Sequence, residues 1–509
     1  MLSSTFSQPE ITELSISAWF YRNRTLAGFD NPARSLYVSI RELVENSLDA
    51  CEAVGILPEI NVKLSAINQK DQINLATSGS GIFRLVVQDN GSGIRRKDVP
   101  KLIGKMLTGT KFTHKQSRGT FGLGGSLALL YGQVTTQKPI EIVTGITGED
   151  VFHSMKMQLD VEKNETDIIS EIDLPKTPIN HGTTISFCLQ GDWLRSKRRI
   201  LDYFSKTSLI VPYSSIWFQT PDKDLLEFER VIETLPPSPK EVKPHPHGTD
   251  IEMLKYMIRN SRSGNLKSFL INSFQRIGQS TSDAFLLYAG LNSETQPKDL
   301  SNEDLLELIN ALSTFDGFMI PTSRALSPAG QKAFRAGIQR LEPEFIATSI
   351  RSPSVYQGHP FVIEIGAAYG GNLANGVNLY RFANRIPLLY DEGSDVSSRV
   401  IKELNMKAYG FGMEDPLSLF VHLCSTKVPF KTVGKEYIAD VDEIRREIEL
   451  GMKDCLRRLS EQVKRRHRIH SSIKRENRLR SYYQFISEIL EESASKKVNL
   501  SELFPEEVE

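Results

Sequence analysis

A stretch of regularly spaced carboxylate and amide side chains, RELVENSLDA at residues 41–50, carries groups that could do chemistry. On a helix, Glu42 and Asn46 lie one turn apart on the same side, and Glu45 and Asp49 repeat this spacing. Glu42 can accept a proton from water, while the carbonyl oxygen of Asn46 suits a hard cation such as Mg²⁺. The solvated face of an amphipathic helix gives the same pattern, so the neighbouring motifs must decide between the two interpretations.

A second motif, DNGSGI, overlaps the end of a predicted apolar strand, IFRLVVQD, so that Asp89 stands where the strand ends. Its carboxylate can accept a hydrogen bond from an exocyclic amine there, and Gly91 and Gly93 let the backbone approach a flat ligand. Another predicted strand, HGTTISFCL, opens at Thr183, which could reach the same pocket. Each motif by itself is also ordinary turn chemistry.

A glycine-rich segment, SRGTFGLGGSLALLY, stands directly before an Ala/Leu-rich helix and contains Gly119, Gly122, Gly124 and Gly125. Free backbone amides and a helix N-terminus form a site for phosphate oxygens, with the hydroxyl of Ser126 as a further donor. Neither a dinucleotide fingerprint nor a GK[ST] is present, so we interpret the segment as a lid and not as a Rossmann turn or P-loop. The stretch before it adds three lysines that could fold over the same ligand: Lys105, Lys111 and Lys115.

These motifs follow one another in a fixed order, and together they resemble the GHKL ATPases, which include gyrase B, the heat-shock chaperone ATPase, histidine kinases and MutL. More specifically, the chain resembles the B subunit of the type IIB topoisomerase, topoisomerase VI, in GFDNPARSLYVSIRELVENSLDACE, GKMLTGTKF, QSRGTFGLGGSLALLYGQ, EVKPHPHG, RFANRIPLLYD and TKVPFKTVGKE. The lid departs from that group's usual RGQQGIGIS at Thr120, Phe121 and Gly125. This change leaves the amide cradle intact and the details of lid closure open.

The resemblance implies a role for each motif residue in binding ATP and Mg²⁺. It implies that Glu42 is the general base that polarises the attacking water, and that Asn46 binds Mg²⁺ bridging the phosphates. Asp89 would read the adenine amino group with support from Thr183, and Asp49 would help to frame the pocket. The other implied ATP-binding residues are Gly91, Gly93, Lys105, Gly119, Gly122, Gly124, Gly125 and Ser126.

The segment CSTKVPFKTVGKE, residues 424–436, places three lysines on a predicted exposed loop. A lysine that reaches the ATP site as a point charge on the γ-phosphate would sense whether ATP or ADP is bound. By resemblance we choose Lys427 as this catalytic residue. Lys431 and Lys435 stay open as alternatives, because the sequence alone does not rank them.

The length of 509 residues, 39% of them hydrophobic, is enough for several domains with cores of their own. By resemblance, the fold class is a multidomain combination of α+β and α/β units: a GHKL (Bergerat) ATPase α/β sandwich, a helix-two-turn-helix insert, and an α/β transducer domain with a long C-terminal helix. The predicted boundaries are 1–34 for an N-terminal arm, 35–228 for the ATPase domain, 229–305 for the insert, 306–465 for the transducer, and 466–509 for a stalk end and a tail that docks the A subunit.

The charges balance, since Lys+Arg and Asp+Glu both number 62, so contacts with DNA must come from local basic patches such as EQVKRRHRIHSSIKRENRLR. The four cysteines show no CxxC spacing, which argues against a disulfide framework and a zinc site. No signal peptide or uninterrupted apolar span is present. We therefore expect a soluble protein, cytoplasmic and nucleoid-associated in a prokaryote or nuclear in a eukaryote.

The resemblance implies the ATPase subunit of a type IIB DNA topoisomerase. Two copies would dimerise through their ATPase domains when ATP binds, and so control the passage of one DNA duplex through another, which relaxes or decatenates the DNA. The break would be made by an A subunit in an A2B2 heterotetramer, because the chain shows no sign of the metal-binding domain and catalytic tyrosine that cut DNA. The alternatives are another GHKL ATPase, MutL-like or chaperone-like, and a non-catalytic nucleotide-binding scaffold.

Overall fold

The computed structural model describes residue 22 and residues 24–67, 79–104, 115–119, 124–160, 165–177, 180–319, 322–431 and 434–494. Lys105, Lys111, Gly122, most of the predicted N-terminal arm and the end of the predicted tail lie outside the described residues. Within the described ranges, two mixed β-sheets and a group of helices between them in sequence confirm the predicted combination of α and β structure.

The RELVENSLDA stretch is helical, as part of α1, Pro32–Ala53. The side chain of Asn31 caps it by accepting a hydrogen bond from the backbone N–H of Arg34, and proline at the first position has no N–H to leave unpaired. The side chains that α1 buries are polar as well as apolar, and they include Leu36, Ile40, Leu43, Leu48, Arg41, Glu42 and Glu45. The polar side of α1 is therefore not a solvated face.

The first sheet has eight strands in the order β5-β4-β3-β6-β2-β1-β7-β8. Neighbouring strands are antiparallel, except that β1 and β7 run parallel. The bounds are β1 Glu59–Ala66, β2 Ser80–Asp89, β3 Ile140–Gly145, β4 Val151–Asp160, β5 Glu165–Pro175, β6 Gly182–Asp192, β7 Ser215–Gln219 and β8 Leu225–Phe228. The strands predicted from the apolar runs are thus confirmed.

Helices α1, α3 and α4 pack against this sheet and share one apolar core with it. The new helices are α2 Val99–Gly104, α3 Gly124–Thr136 and α4 Trp193–Ile210. In the strand register, Asp89 at the end of β2 pairs with Thr183 at the start of β6, and Thr144 of β3 pairs with Thr183 from the other side. Three strand ends therefore meet at one edge of the sheet, next to α1.

Four helices follow the first sheet and pack around a core of their own. They are α5 Ile251–Asn260, α6 Leu266–Ser273, α7 Gln279–Ala289 and α8 Asn302–Thr314. This core extends from Leu254 to Phe318, so the helical unit continues past residue 305, where we predicted the insert to end. The physical reason is that α8 contacts α5 and α7 and contributes Leu308 and Leu312 to their core.

The second sheet has six strands, in the order β10-β11-β14-β12-β13, with β9 also paired to β11. Their bounds are β9 Phe345–Ile350, β10 Ser354–Tyr356, β11 His359–Tyr369, β12 Val377–Ala383, β13 Ile386–Pro387 and β14 Leu417–Ser425. The accompanying helices are α9 Gln331–Gln339, α10 Val396–Glu403 and α11 Asp442–Ala494. Helix α9 also contacts α4, so the two sheets share a packed junction.

Helix α11 has 53 residues and is therefore about 80 Å long at roughly 1.5 Å per residue. Its N-terminal part packs on β9 and β11, where Ile448, Met452 and Leu459 are buried. Beyond Glu461 almost every described side chain is exposed. The predicted long C-terminal helix is confirmed, and it projects well beyond the sheet that anchors it.

Candidate active site

The polar side of α1 faces the N-terminal end of α3. A side chain added at Gly124 would collide with the carboxylate of Glu42, and one added at Gly125 would lie 2.8 Å from the Asn46 side-chain nitrogen. Glu42 is buried, whereas Asn46 is exposed. Asn46 is thus the exposed member of a group in which the buried Glu42 carboxylate lies beside the amide end of a helix.

Two further predicted phosphate-binding residues, Gly119 and Ser126, lie within the described ranges. Gly119 is half-buried in the segment that leads toward α3. The hydroxyl of Ser126 is buried in the first turn of α3 and donates a long hydrogen bond, 3.5 Å, to the carbonyl of Leu102. In the described conformation this hydroxyl is therefore directed toward α2.

Asp89 is held by three donors at the meeting point of the strand ends. Its Oδ2 accepts a hydrogen bond from the Ser47 hydroxyl at 2.9 Å, and its Oδ1 accepts from the backbone N–H groups of Gly91 at 2.9 Å and Thr183 at 3.2 Å. Burial raises the pKa of Asp89 above its ordinary value, although these donors oppose that shift. Thr183 supports Asp89 directly through its backbone, and its hydroxyl lies 3.0 Å from that of Thr144.

Two glycines after Asp89 make room for this arrangement. Gly93 has φ +68°, and a side chain there would collide with the carbonyl of Gly145. A side chain at Gly91 would lie 2.8 Å from the Cβ of Ala50 on α1. Both glycines are therefore needed for close packing against Gly145 and Ala50.

A lysine from the loop after β14 reaches the base of this site. Lys435 Nζ lies 3.6 Å from Glu42 Oε1 and 3.4 Å from Glu45 Oε2, and all three side chains are buried. The backbone of Lys435 has φ +54°, in the left-handed region that non-glycine residues seldom adopt. Strained backbone of this kind tends to persist where the surroundings fix a functional geometry.

Arg41 completes a buried group of four charges around Glu42, and sequence reasoning missed it. Its Nη2 donates to Glu42 Oε1 at 2.6 Å, its Nη1 donates to the Gly434 carbonyl at 2.9 Å, and its Nε lies 3.4 Å from Glu45 Oε1. Burial lowers the pKa of Arg41, but the two carboxylates outweigh burial and hold it above its ordinary value. Burial likewise raises the pKa of Glu45. No motif identifies Arg41, because its partner Gly434 is remote in sequence.

Lys427, our choice from the sequence, lies elsewhere. It lines a groove of about 1030 Å³ together with residues of α5 and of the segments on both sides of that helix, including Lys243, Asp250 and Arg262. Lys431 is exposed. The reason is local. Lys427 lies only two residues after the end of β14, whereas the bridge between Phe430 and Ile438 closes a loop that carries Lys435 onward to α1. The geometry thus favours the alternative Lys435 over Lys427.

Asp49 lies at the far end of the site and contacts an arginine that the sequence analysis did not single out. Arg118 Nη1 donates to Asp49 Oδ1 at 2.8 Å, and the guanidinium is almost completely buried. Arg118 directly precedes Gly119, the first lid glycine. The position of Arg118 in the QSRGTFGLGG block is the sequence signal that points to a role beside the lid.

The residues fit the implied metal, because the exposed Asn46 offers a hard carbonyl oxygen one helical turn from the Glu42 carboxylate. Elsewhere in the described ranges, Glu364, His422 and Cys424 form a compact buried cluster of potential ligands. Their atoms already have protein partners, since His422 Nδ1 contacts Glu364 at 2.7 Å and Glu364 accepts from the N–H groups of Ala329 and Gly330. That cluster caps α9 and does not resemble a metal site.

Comparisons with known proteins bear on both sheets. Residues 31–191 match the family model of the histidine kinase-, DNA gyrase B-, and HSP90-like ATPases, and residues 321–475 match that of the topoisomerase VI B subunit transducer. A protein from Sulfurisphaera tokodaii, named as the B subunit of type 2 DNA topoisomerase 6, is 39% identical over 489 residues, covering 95% of this chain and 90% of that protein. The chain belongs to the topoisomerase VI B-subunit family.

Other members give the same result. Proteins of that name from Metallosphaera sedula and Saccharolobus islandicus are 39% and 38% identical over 488 residues, again covering 95% of this chain and 90% of theirs. The 43K ATPase domain of Thermus thermophilus gyrase B, solved with an aminocoumarin, has a TM-score of 0.43 and 10% identity, covering 93% of this chain and 98% of that one, which is too weak to bear on the fold.

Membership establishes the function as that of an ATP-hydrolysing component of a type 2 DNA topoisomerase, with a GHKL ATPase domain and a transducer. The alternatives, a MutL-like or chaperone-like ATPase and a non-catalytic scaffold, are not favoured. Among the described residues, no helix combines the length and the apolar character that a membrane span requires.

Proposed function

We propose that ATP binds between α1, the joined ends of β2 and β6, and the N-terminal end of α3, and that Glu42 is the general base for its hydrolysis. The observation that carries this proposal is the meeting of Glu42, at the wall of the site, with Lys435, 3.6 Å away on the loop that follows the second sheet. A base and a cation from different domains then share one reaction centre.

Glu42 has a geometry that suits a general base. Arg41 and Lys435 both approach its Oε1, while its Oε2 lies beside Gly124 at the start of α3. One oxygen is therefore held in place by cations, and the other faces the region where freed amides would bind phosphate oxygens. A water between this oxygen and the γ-phosphate would be polarised for attack.

Lys435 takes the role that we first gave to Lys427. Lys435 is shared between Glu42 and Glu45. A γ-phosphate at the end of α3 would compete for the ammonium as a stronger anionic acceptor and would draw the loop toward the nucleotide. Differential affinity of this kind can shift the position of the transducer between ATP-bound and ADP-bound states.

Asp89 would recognise adenine. Its two oxygens accept hydrogen bonds from Ser47, Gly91 and Thr183, which fix the carboxylate without using every lone pair. The exocyclic amine of adenine can donate to a remaining lone pair, and the glycines that follow leave space for the flat base. Asp49 would frame the opposite end of the pocket.

Mg²⁺ would be held by Asn46, where it would supply positive charge to the phosphate oxygens. The amide cradle of Gly119, Gly122, Gly124 and Gly125, with Ser126 and Lys105 nearby, would enclose the same phosphates. Gly122 and Lys105 lie outside the described residues. Their part in the proposal therefore comes from the sequence motif.

The protein would act within an A2B2 heterotetramer on double-stranded DNA. Its relatives are named as B subunits, which supports a partner A subunit that makes the double-strand break. ATP-dependent dimerisation of two copies of this chain would then control the passage of a second duplex, which relaxes or decatenates DNA in the cytoplasm and nucleoid or in a nucleus. We also propose domains at 35–228, 229–319 for a helix-two-turn-helix insert, and 320–465.

The free end of α11 supports a docking role for the predicted stalk end at 466–509. Beyond its anchored half, the helix exposes a basic stretch and then an apolar stripe formed by Leu479, Tyr482, Ile489 and Leu490. The spacing of these residues puts them on one side of the helix. A basic part that meets DNA, followed by an apolar part that meets the A subunit, fits a lever between ATPase and cleavage subunits.

The test is ATP turnover with and without duplex DNA, for the wild type and for Glu42→Ala. We expect turnover in the wild type, stimulation by DNA, and a loss of turnover in Glu42→Ala with retained binding of a non-hydrolysable ATP analogue. Turnover by Glu42→Ala at the wild-type rate would refute the base assignment. Absence of nucleotide binding in both proteins would refute the site.

A further inference from the structure

Glu52, near the end of α1, binds three different parts of the molecule with one carboxylate. Its Oε1 accepts from Arg118 Nη2 at 2.7 Å and from the Tyr213 hydroxyl at 2.6 Å. Its Oε2 accepts from Arg118 Nη1 at 2.9 Å and from Arg385 Nη2 at 2.7 Å. Four donors occupy the acceptor capacity of the carboxylate, and none of the residues predicted from the sequence accounts for them.

Arg118 ties Glu52 to the nucleotide site. The same Nη1 that binds Glu52 also binds Asp49 Oδ1 at 2.8 Å, one helical turn nearer to Asn46. Arg118 belongs to the 116–118 segment, which immediately precedes the lid glycine Gly119. A shift of this guanidinium would therefore move the base of the phosphate-binding segment and the rim of the pocket together.

Arg385 ties Glu52 to the second sheet. It stands with Asn384 in the two-residue turn between β12 and β13, here called the 384–385 turn, and both residues have positive φ, 48° and 64°. The turn is anchored because the Arg385 backbone N–H donates to His422 Nε2 at 2.9 Å. A two-residue turn of this kind has a fixed twist, so it aims the Arg385 side chain from a rigid base.

Further contacts join the 116–118 segment to the same domain. Gln116 and Ser327 exchange two hydrogen bonds, from Gln116 Nε2 to the Ser327 carbonyl at 3.0 Å and from the Ser327 N–H to Gln116 Oε1 at 2.7 Å. Arg385 Nη1 also donates to the Ser327 carbonyl at 2.8 Å, and Asn384 Nδ2 donates to the Ser117 carbonyl at 3.1 Å. The segment is thus bound to the second sheet at each of its three residues, directly or through Glu52.

Ion pairs hold the side chains of this junction together. Burial raises the pKa of Glu52, but Arg118 and Arg385 outweigh burial and hold the pKa below its ordinary value. The buried cations Arg118 and Arg385 balance the charges of the Glu52 and Asp49 carboxylates. Removal of one partner would therefore leave an uncompensated charge inside the protein. We therefore expect these four side chains to move together if any one of them moves.

We propose that Glu52, Arg118 and Arg385 are positioning residues that transmit nucleotide binding from the rim of the ATP pocket to the 384–385 turn of the second sheet. This inference rests on the proposed nucleotide site, and it adds a second connection to the one made by Lys435. Lys435 senses the phosphate end. The Glu52 junction, which consists of Glu52, Arg118 and Arg385, responds to the position of the 116–118 segment. That segment has no contact with Lys435 among the described interactions.

The test compares three conservative variants, Arg385→Lys, Arg118→Lys and Glu52→Gln, with Arg351→Lys as the control. Arg351 binds Glu447 at 2.8 Å within the second-sheet domain and joins it to α11, away from the nucleotide site. Each lysine variant keeps the charge but loses the forked geometry, and Glu52→Gln keeps the shape but loses the charge. If a lysine variant does not fold, the isosteric Glu52→Gln variant still shows whether the junction transmits nucleotide binding.

Two readouts are measured on the full chain: kcat and KM for ATP, and amide hydrogen exchange of residues 381–388 with and without a non-hydrolysable ATP analogue. We expect the KM for ATP to rise about tenfold in the junction variants with kcat changed by less than about twofold, since one charged hydrogen bond is lost without touching the base. The exchange of residues 381–388 should respond to the analogue in the wild type and in Arg351→Lys but not in the junction variants.

An unchanged KM and a retained exchange response in the junction variants would overturn the inference and reduce the junction to a structural ion pair, even if their melting temperatures fall. In that case the wild type would still hydrolyse ATP and Glu42→Ala would still be inactive, so the proposed function would stand. A wild type that binds no nucleotide would overturn both.

Discussion

At the scale of single residues, the site is organised by charges that neutralise one another inside the protein. Glu42 and Glu45 from α1 face Arg41 from the same helix and Lys435 from the second-sheet domain. Such a group is costly to bury unless its members are paired, so each residue fixes the others. In the proposed mechanism, an incoming phosphate would change this balance by competing with the two carboxylates for Lys435.

The first prediction compares two lysines eight positions apart. Lys435→Met should lower ATP turnover about a hundredfold, because the phosphate loses a charged donor and Glu42 loses a partner. Lys427→Met should stay within about twofold of the wild type, since its side chain lines a groove beside α5. Steady-state turnover measures both, and the reverse order of the two effects would restore our original choice of Lys427.

The second prediction concerns Asp89. In Asp89→Asn, the retained Oδ1 can still accept from the N–H groups of Gly91 and Thr183, so the fold should survive. The affinity for ATP should fall about tenfold to a hundredfold, because the acceptor for the adenine amine is weakened. Titration of a fluorescent ATP analogue measures this loss. Equal affinity in the variant, with an unchanged melting temperature, would show that Asp89 does not read adenine.

At the scale of elements, three pieces of secondary structure place these residues: α1, the joined ends of β2 and β6, and the loop after β14. Much of this follows from the sequence. The apolar spacing predicts α1 and the strands, and the Gly-containing motifs predict which strand ends are approached closely. The motif order then predicts that Glu42, Asn46, Asp89 and Thr183 lie near one another.

The sequence does not predict the partners that come from a distant domain. Arg41 and Arg118 lie beside recognised motifs, yet their roles depend on Gly434 and Arg385, which folding alone brings close. The sequence also does not rank Lys427 against Lys435, because spacing within a loop does not show which residue the loop carries across to α1. The helical unit extends to Phe318, beyond the predicted boundary at residue 305, because α8 belongs to the same core. The sequence alone does not show which core a helix joins.

The third prediction is the pH dependence of the junction between these elements. The pKa of Glu52 is lower in the folded protein than its ordinary value of 4.5, so its stabilising effect is complete above that value and is lost as the pH falls through the lowered pKa. The difference in unfolding free energy between the wild type and Glu52→Gln should therefore be constant near neutral pH and shrink below about pH 4.5. Urea unfolding at several pH values measures it. A difference that grows as the pH falls would contradict the ion pairing.

At the scale of the whole molecule, the two sheets and α11 form a connected path. The first sheet carries the proposed nucleotide site, and Glu52 and Lys435 connect that site to the second-sheet domain. Helix α11 extends from the second sheet for about 80 Å at roughly 1.5 Å per residue. A small rotation of the second sheet would become a large displacement at the free end of the helix. This arrangement suits a protein that must convert ATP binding into movement of a partner and of DNA.

The fourth prediction tests the exposed basic part of α11. Charge reversal of Lys464, Arg465, Arg468 and Arg475 should abolish the stimulation of ATP turnover by duplex DNA and leave the basal rate unchanged, because these exposed side chains are remote from the nucleotide site. A control reverses two exposed lysines on other elements, Lys63 and Lys407. Full stimulation in the α11 variant would exclude this stretch as a DNA contact.

The most direct test of ATP-driven dimerisation is sedimentation velocity of Glu42→Ala with ATP itself. If Glu42 is the base and ATP closes the dimer, the variant binds ATP without hydrolysing it, and it should sediment as a stable dimer with ATP and as a monomer with ADP. The wild type should need a non-hydrolysable analogue for the same persistence. A Glu42→Ala protein that stays monomeric in ATP, while the wild type dimerises with the analogue, would contradict the proposed coupling between this site and the dimer.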